Sequence, residues 1–199
     1  MSKIMSVNQS WQMIHDTLDE FAPQRLKNLR GPANESAIGK LEEKIEVVLP
    51  DDLRESLLVH NGEEWQGQGI LSRAWELLGT EDIVYHHVLL NHSHFSEEAQ
   101  VWYLEFGTTN DLDWDDPQLF ARVKKTLYDP AWIPIAHSGG GNYLFLDLAP
   151  ELKGKQGQVL SWIKSYGPEK TVAASFSAHL SGVARRLSDY YQKRASGKN

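Results

Sequence analysis

Apolar positions fall at helical spacing in the first part of the chain and at strand spacing in the last third. Trp11, Ile14, Leu18 and Phe21 lie three, four and three residues apart, one stripe of a helix over Ser6 to Ala22 that Pro23 ends. After a turn at Gly31-Pro32, Asn34 stands where an N-cap belongs, and Ile38, Leu41 and Ile45 form the buried stripe of a second helix. Leu49-Pro50-Asp51-Asp52 starts a third, because proline suits a first turn and acids suit a helix N-terminus. Leu53, Leu57 and Leu58 give its apolar face, and Asn61-Gly62 reads as its stop. Residues Gly69 to Trp75 fit a short strand, or Trp75 opens a helix. Thr80 reads as the cap of a helix through about Leu90, with Glu81 and Asp82 in its first turn.

Further on, Val101 to Phe106 is a strand by composition. Asp116-Pro117 predicts a helix start, and Leu119, Phe120, Val123 and Leu127 carry its stripe to about Tyr128. Trp132 to Ala136 reads as an edge strand because Pro134 lacks an N–H for a ladder. The Ser138–Asn142 turn leads into a strand from Tyr143 to Leu148. Gly157 to Lys164 is the next strand, with Val159 and Ile163 on one face and Leu160 and Trp162 on the other. Ser175 opens a last helix carrying Phe176, Leu180, Val183, Leu187 and Tyr191, followed by a polar tail over residues 192–199. Helices, then closely spaced strands, then a helix predict an α+β fold with mainly antiparallel pairing.

The length of 199 residues suits one domain. With 20 Lys and Arg against 27 Asp and Glu, the net charge of -7 argues against nucleic acid as the main ligand. The absence of cysteine excludes disulfides, thiolate zinc sites, iron–sulfur clusters and a Cys nucleophile. No apolar run is long enough for a membrane span, and the opening residues lack a signal-peptide core, so the expectation is a cytoplasmic protein.

Candidate chemistry is sparse. His86, His87, His92 and His94 crowd one segment, but their spacing fits no zinc template and reads as solvated surface histidines. The Gly139-Gly140-Gly141 run lies between strands without the Lys-Ser/Thr pair of a phosphate loop, which makes it a hairpin turn. Asp111, Asp113, Asp115 and Asp116 surround Trp114. The sixth and twelfth places of a calcium loop are filled by Asp116 and Arg122, which excludes an EF-hand and leaves a solvated turn or a contact surface. No Gly-x-Ser-x-Gly elbow is present. The expectation is no enzyme, no cofactor and no metal.

Several segments in order resemble the SUKH superfamily, in its branch named after fungal cell-wall regulators of the Smi/Knr type. They are the helix bearing Trp11, Gly31-Pro32-Ala33 before Ile38, Leu41, Glu42 and Ile45, and Leu49-Pro50-Asp51-Asp52-Leu53-Arg54 running on to Asn61-Gly62. Later come Trp132-Ile133-Pro134-Ile135-Ala136, Gly140-Gly141-Asn142 with Leu146-Asp147-Leu148, Gly154, Gly157-Gln158-Val159 and Ser175-Phe176. The stretch from about 95 to 129 matches less well and reads as a variable insertion in one domain over 1–199. The resemblance implies a curved antiparallel sheet with helices packed about it and a non-enzymatic, protein-binding role.

Bacterial members of that superfamily are commonly immunity proteins that neutralise polymorphic toxins, whereas fungal members regulate glucan synthesis. The short chain reads as bacterial, so toxin neutralisation is the leading expectation, with a scaffold in cell-wall synthesis as the alternative. A metal-dependent hydrolase on the His86–His94 segment is the third. A basic nuclease toxin would be steered onto an acidic partner. Glu63, Glu64, Asp111, Asp113, Asp115 and Asp116, with Trp65 and Trp114 as anchors, are the candidate contact residues. Glu42, Asn61, Asn142, Asp147 and Gln158 either line a shared groove or satisfy buried backbone groups.

Overall fold

In the computed structural model, residues 3–71, 74–92, 116–164 and 166–197 are described. They form α1 (Val7–Phe21), α2 (Pro23–Leu26), α3 (Glu35–Ile45), α4 (Asp51–Leu57), β1 (Glu76–Leu77) and α5 (Thr80–His92). Then follow β2 (Trp132–His137), β3 (Tyr143–Asp147), β4 (Gln158–Ile163), β5 (Gly167–Ala173) and α6 (Phe176–Ala195). The strands pair in chain order, each antiparallel to the next, in an open five-stranded sheet. The expected α+β class is what the chain adopts.

Caps set the helix starts where side-chain oxygens meet free N–H groups. Ser6 Oγ accepts from Gln9 N at 3.2 Å while Gln9 Oε1 accepts from Ser6 N at 3.0 Å, a reciprocal capping box. Asn34 Oδ1 accepts from Ala37 N at 2.8 Å, and Ser175 Oγ from Ala178 N at 3.1 Å.

Side-chain alternation divides the sheet into two apolar layers. On one face Ile133, Ile135, Leu144, Leu146 and Val159 pack against Trp11, Ile14 and Leu18 of α1, Ile38 and Leu41 of α3, Leu53 of α4, and Phe176 and Leu180 of α6. On the other, Trp132, Tyr143, Phe145, Leu160 and Trp162 pack with Leu119, Val123 and Tyr128. Helix α5 supplies Ile83 to the first layer and Leu90 to the second.

Several elements depart from the sequence reading. Asn61-Gly62 does not stop α4, which ends at Leu57. Gly62 instead adopts φ +81°, and a Cβ there would lie 2.4 Å from Gly79 N, so two backbones cross in contact. Thr80 is the first residue of α5, and Gly79 O accepts from Ile83 N at 2.9 Å in the cap position. Residues 117–122 are turns, not a helix, although Asp116 Oδ1 does cap Gln118 N at 2.8 Å. The carbonyls a helix would use are taken from outside: Ala121 O by Lys153 N at 2.9 Å, and Arg122 O by Glu151 N at 3.1 Å and Gln158 Nε2 at 2.8 Å.

Strand β2 is not an edge strand. Its outer neighbour β1 reaches only Ala136 and His137, so Pro134 faces no ladder partner on that side. Helix α6 continues through residues 192–195, into the stretch read as a polar tail. The strand expected at Val101–Phe106 lies outside the described residues.

Candidate partner-binding surface

The short strand β1 brings one rung of side chains into line across the sheet. Glu76 pairs with His137, His137 with Tyr143, and Tyr143 with Trp162. Paired residues of one rung point to the same face. Helix α5 then lays His86 over this row: its ring stacks on His137 at 4.7 Å, and its Nδ1 is 2.9 Å from Tyr143 Oη. Tyr85 meets His86 edge-on at 5.1 Å and is 63% exposed. Val88 and Leu89, one helical turn on, are exposed too.

Burial, and then the neighbouring His137, pushes His86 down to about 4. Burial also lowers His137, and it raises the Tyr143 phenol to about 12. Near neutral pH the three rings are therefore uncharged. A histidine so depressed is a poor proton donor at pH 7, and the set acts as an aromatic, hydrogen-bonding platform.

A charged rim borders it. Arg30 pairs with Asp82 at 2.5 Å and with Glu64 at 3.3 Å. Glu76 is raised by burial and then by Asp82. The Gly62–Gly79 crossing holds this rim in place, for Asn61 Oδ1 accepts from Thr80 N at 2.7 Å and Arg30 N donates to Gly62 O at 3.0 Å. Three carboxylates around one guanidinium, beside Tyr85, give an acidic surface with an aromatic anchor.

The candidate residues from the sequence are distributed unevenly. Glu64 lies on the rim, and Trp65 beside it in sequence is 40% exposed. Glu63 is not on the surface: it is 2% exposed, a correction forced by its role inside the fold. Its Oε1 accepts from Ile70 N at 2.9 Å and Leu77 N at 2.7 Å, and its Oε2 lies 3.1 Å from Ile70 N. Burial pushes this carboxyl up to about 7 against those bonds. Asp116 is a cap, while Asp111, Asp113, Trp114 and Asp115 lie outside the described residues.

The five polar motif residues all bond main-chain groups. Glu42 Oε1 accepts from Leu49 N at 2.9 Å, Asn61 holds Thr80, and Asn142 Oδ1 accepts from Lys164 N at 3.0 Å. Asp147 Oδ1 accepts from Ala149 N at 3.1 Å and its Oδ2 from Gln158 Nε2 at 2.9 Å, while Gln158 Oε1 accepts from Lys155 N at 3.2 Å. This is backbone satisfaction on several elements, not one groove.

Nor are His86 and His87 solvated, as the sequence suggested. His87 is 6% exposed with Nε2 2.9 Å from Pro130 O, and His86 is half-buried. His94 and the side chain of His92 lie outside the described residues. Among the described residues no group of three or more His, Asp or Glu is placed to hold a metal ion, and no helix is long and apolar enough to cross a membrane. Arg30, Tyr85, His137 and Tyr143 escaped the sequence reading, since nothing local marks residues that only strand register, helix packing and long-range ion pairs bring together.

Comparison with known families matches residues 32–182 to the family described as SMI1 / KNR4 family (SUKH-1). The chain is 29% identical to the glucan synthesis regulatory protein of Neurospora crassa, over 92% of this chain and 38% of that protein. It is 28% identical to the cell wall biosynthesis/cell cycle regulator smi1 of Schizosaccharomyces pombe, over 89% of this chain and 35% of that protein. With the cell wall assembly regulator SMI1 of Saccharomyces cerevisiae the identity is 22%, over 89% of this chain and 40% of that protein. The chain thus spans between 35% and 40% of the length of these relatives.

Proposed function

The chain belongs to the SMI1 / KNR4 family (SUKH-1), and from that membership we propose that it is a non-enzymatic protein-binding module that regulates cell-wall synthesis. The observation that carries this reading is the relatives' naming: those similar over about nine-tenths of this chain are named as regulators of glucan synthesis, cell wall biosynthesis or cell wall assembly. Toxin neutralisation, the leading expectation from sequence, finds no support in those names, and the relatives are fungal where the short chain read as bacterial. It gives way to the regulatory alternative.

The platform of Tyr85, His86, His137 and Tyr143 with its Arg30, Glu64 and Asp82 rim supports binding in place of turnover. Near neutral pH the rings of His86, His137 and Tyr143 are uncharged, and Arg30 is paired with Glu64 and Asp82. An aromatic anchor ringed by salt-bridged residues is the composition of an interface centre and its rim.

The test is expression of this chain in a fungal strain lacking its own relative, with the matched segment of the Neurospora crassa protein as control. The readout is growth under a glucan-synthesis inhibitor, together with recovery of cell-wall synthesis enzymes on the tagged chain. The expected result is restored growth, lost in Tyr85→Asp and in Glu64→Lys. A control that rescues beside a chain that neither rescues nor recovers those enzymes would overturn the reading. Protection from a toxin encoded beside the chain's gene, with no cell-wall effect, would restore the immunity reading.

A further inference from the structure

We propose that the groove between residues 69–71 and helix α6 docks an acidic segment of a partner protein, one that places an apolar side chain between carboxylates. The groove is a second surface, separate from the Tyr85 platform. Its floor is Ile70, Leu71, Val183 and Leu187, and Arg25, Arg186 and Tyr190 line it as well, around a volume of about 210 Å³. That is smaller than the roughly 300–1,000 Å³ typical of small-molecule pockets, and it suits a single inserted side chain.

The charge at its rim selects the occupant. Arg25 is held by neutral acceptors, Gly69 O at 2.8 Å and Tyr191 Oη at 3.3 Å. Tyr191 is itself stacked on Phe21 at 5.7 Å, so this guanidinium is fixed in place before anything binds. Arg186 is exposed and, among the described residues, has no carboxylate at ion-pair distance. A third guanidinium, Arg194, lies 5.6 Å from the Tyr190 ring centroid and donates to Tyr190 Oη at 2.9 Å. Glu63, the carboxyl that feels the charge of Arg25, is buried and bonded to main-chain N–H groups.

Three arginines thus gather around one tyrosine on a chain of net charge -7. Guanidinium groups bind carboxylates through paired N–H donors, so a segment rich in Asp or Glu is the complementary partner. A membrane surface or a nucleic acid is disfavoured, because a long polyanion would also meet the chain's own acidic surface. A short acidic peptide stays within the basic spot.

The test is fluorescence anisotropy on the full chain with a labelled peptide of alternating Asp and Leu. Saturable binding that weakens with salt is expected. Replacing every Asp of the peptide by Asn should abolish it, and Arg186→Glu should weaken it about tenfold or more. Arg186 bonds no other described side chain, and a thermal melt of that variant confirms its fold. No binding, equal binding of the Asn peptide, or unchanged affinity in Arg186→Glu overturns the proposal. So does binding to phosphatidylserine vesicles in place of the peptide. Because peptide binding is read in vitro, its failure leaves the cell-wall reading standing, and failure of that reading leaves the groove standing.

Discussion

The effect of replacing Glu63 by Gln on stability should change sign between pH 5 and pH 8. Glu63 is buried, and its carboxyl lies at about 7 in the fold against an ordinary value of 4.5. A carboxyl raised by folding makes the native state bind more protons than the unfolded one between those two values. Its stabilising share is therefore complete below about pH 4.5 and is lost as the pH rises through about 7. At about 1.4 kcal/mol for each pH unit, the whole effect is about 3 kcal/mol. Gln keeps an oxygen in place for Ile70 N and Leu77 N but sets an amide nitrogen near Ile70 N, at a cost of about 1 kcal/mol at any pH. Urea unfolding of both proteins at pH 5 and pH 8 measures the difference, in which the titrating groups that do not interact with Glu63 cancel. The variant should be slightly less stable than the parent at pH 5 and more stable by about 2 kcal/mol at pH 8. A stability difference that stays flat across that range would refute the reasoning, and with it the buried-carboxylate account of residues 63–77.

Other outcomes follow from the same geometry. Burial and then Arg186 hold His179 down at about 4, so its share of stability is complete above about 6.5 and falls away as the pH drops; the melting temperature of His179→Gln relative to the parent should rise between pH 7 and pH 4.5. Gly79→Ala places a Cβ 2.3 Å from Asn61 O and should cost about 3 kcal/mol or prevent folding, read by denaturant midpoint. Ser175→Ala removes the cap of α6 and should cost about 1 kcal/mol with the slope of the unfolding curve unchanged. Glu46, in the left-handed region at φ 56°, should tolerate Gly with no loss of melting temperature.

Helices were legible where an apolar stripe met a capping side chain and no distant donor competed for the carbonyls. Asn34 and Ser175 announce α3 and α6 because both signals are local. Residues 117–128 carry those signals too, but the carbonyls of Ala121 and Arg122 find donors some thirty residues away, and that competition is invisible in sequence. Strand β5 went unread because Gly167-Pro168-Glu169-Lys170 lacks apolar alternation; as an edge strand it needs only backbone pairing with β4, and charges suit an edge. Glu63 and Glu64 look alike as neighbours, yet one turns inward to bond Ile70 and Leu77 while the other meets Arg30. The platform was hidden for a similar reason, since strand register aligns only Glu76, His137 and Tyr143, and His86 reaches them by the packing of α5 over the sheet.

Helix α5 anchors Ile83 on one side of the sheet and Leu90 on the other, while Tyr85 looks outward. A partner that grips Tyr85 therefore pulls on a strut pinned at both ends, and neither apolar layer can loosen without the other feeling it. The amides of α1 and of β4 should then exchange with solvent together, as one cooperative unit, and slow in step when that grip tightens.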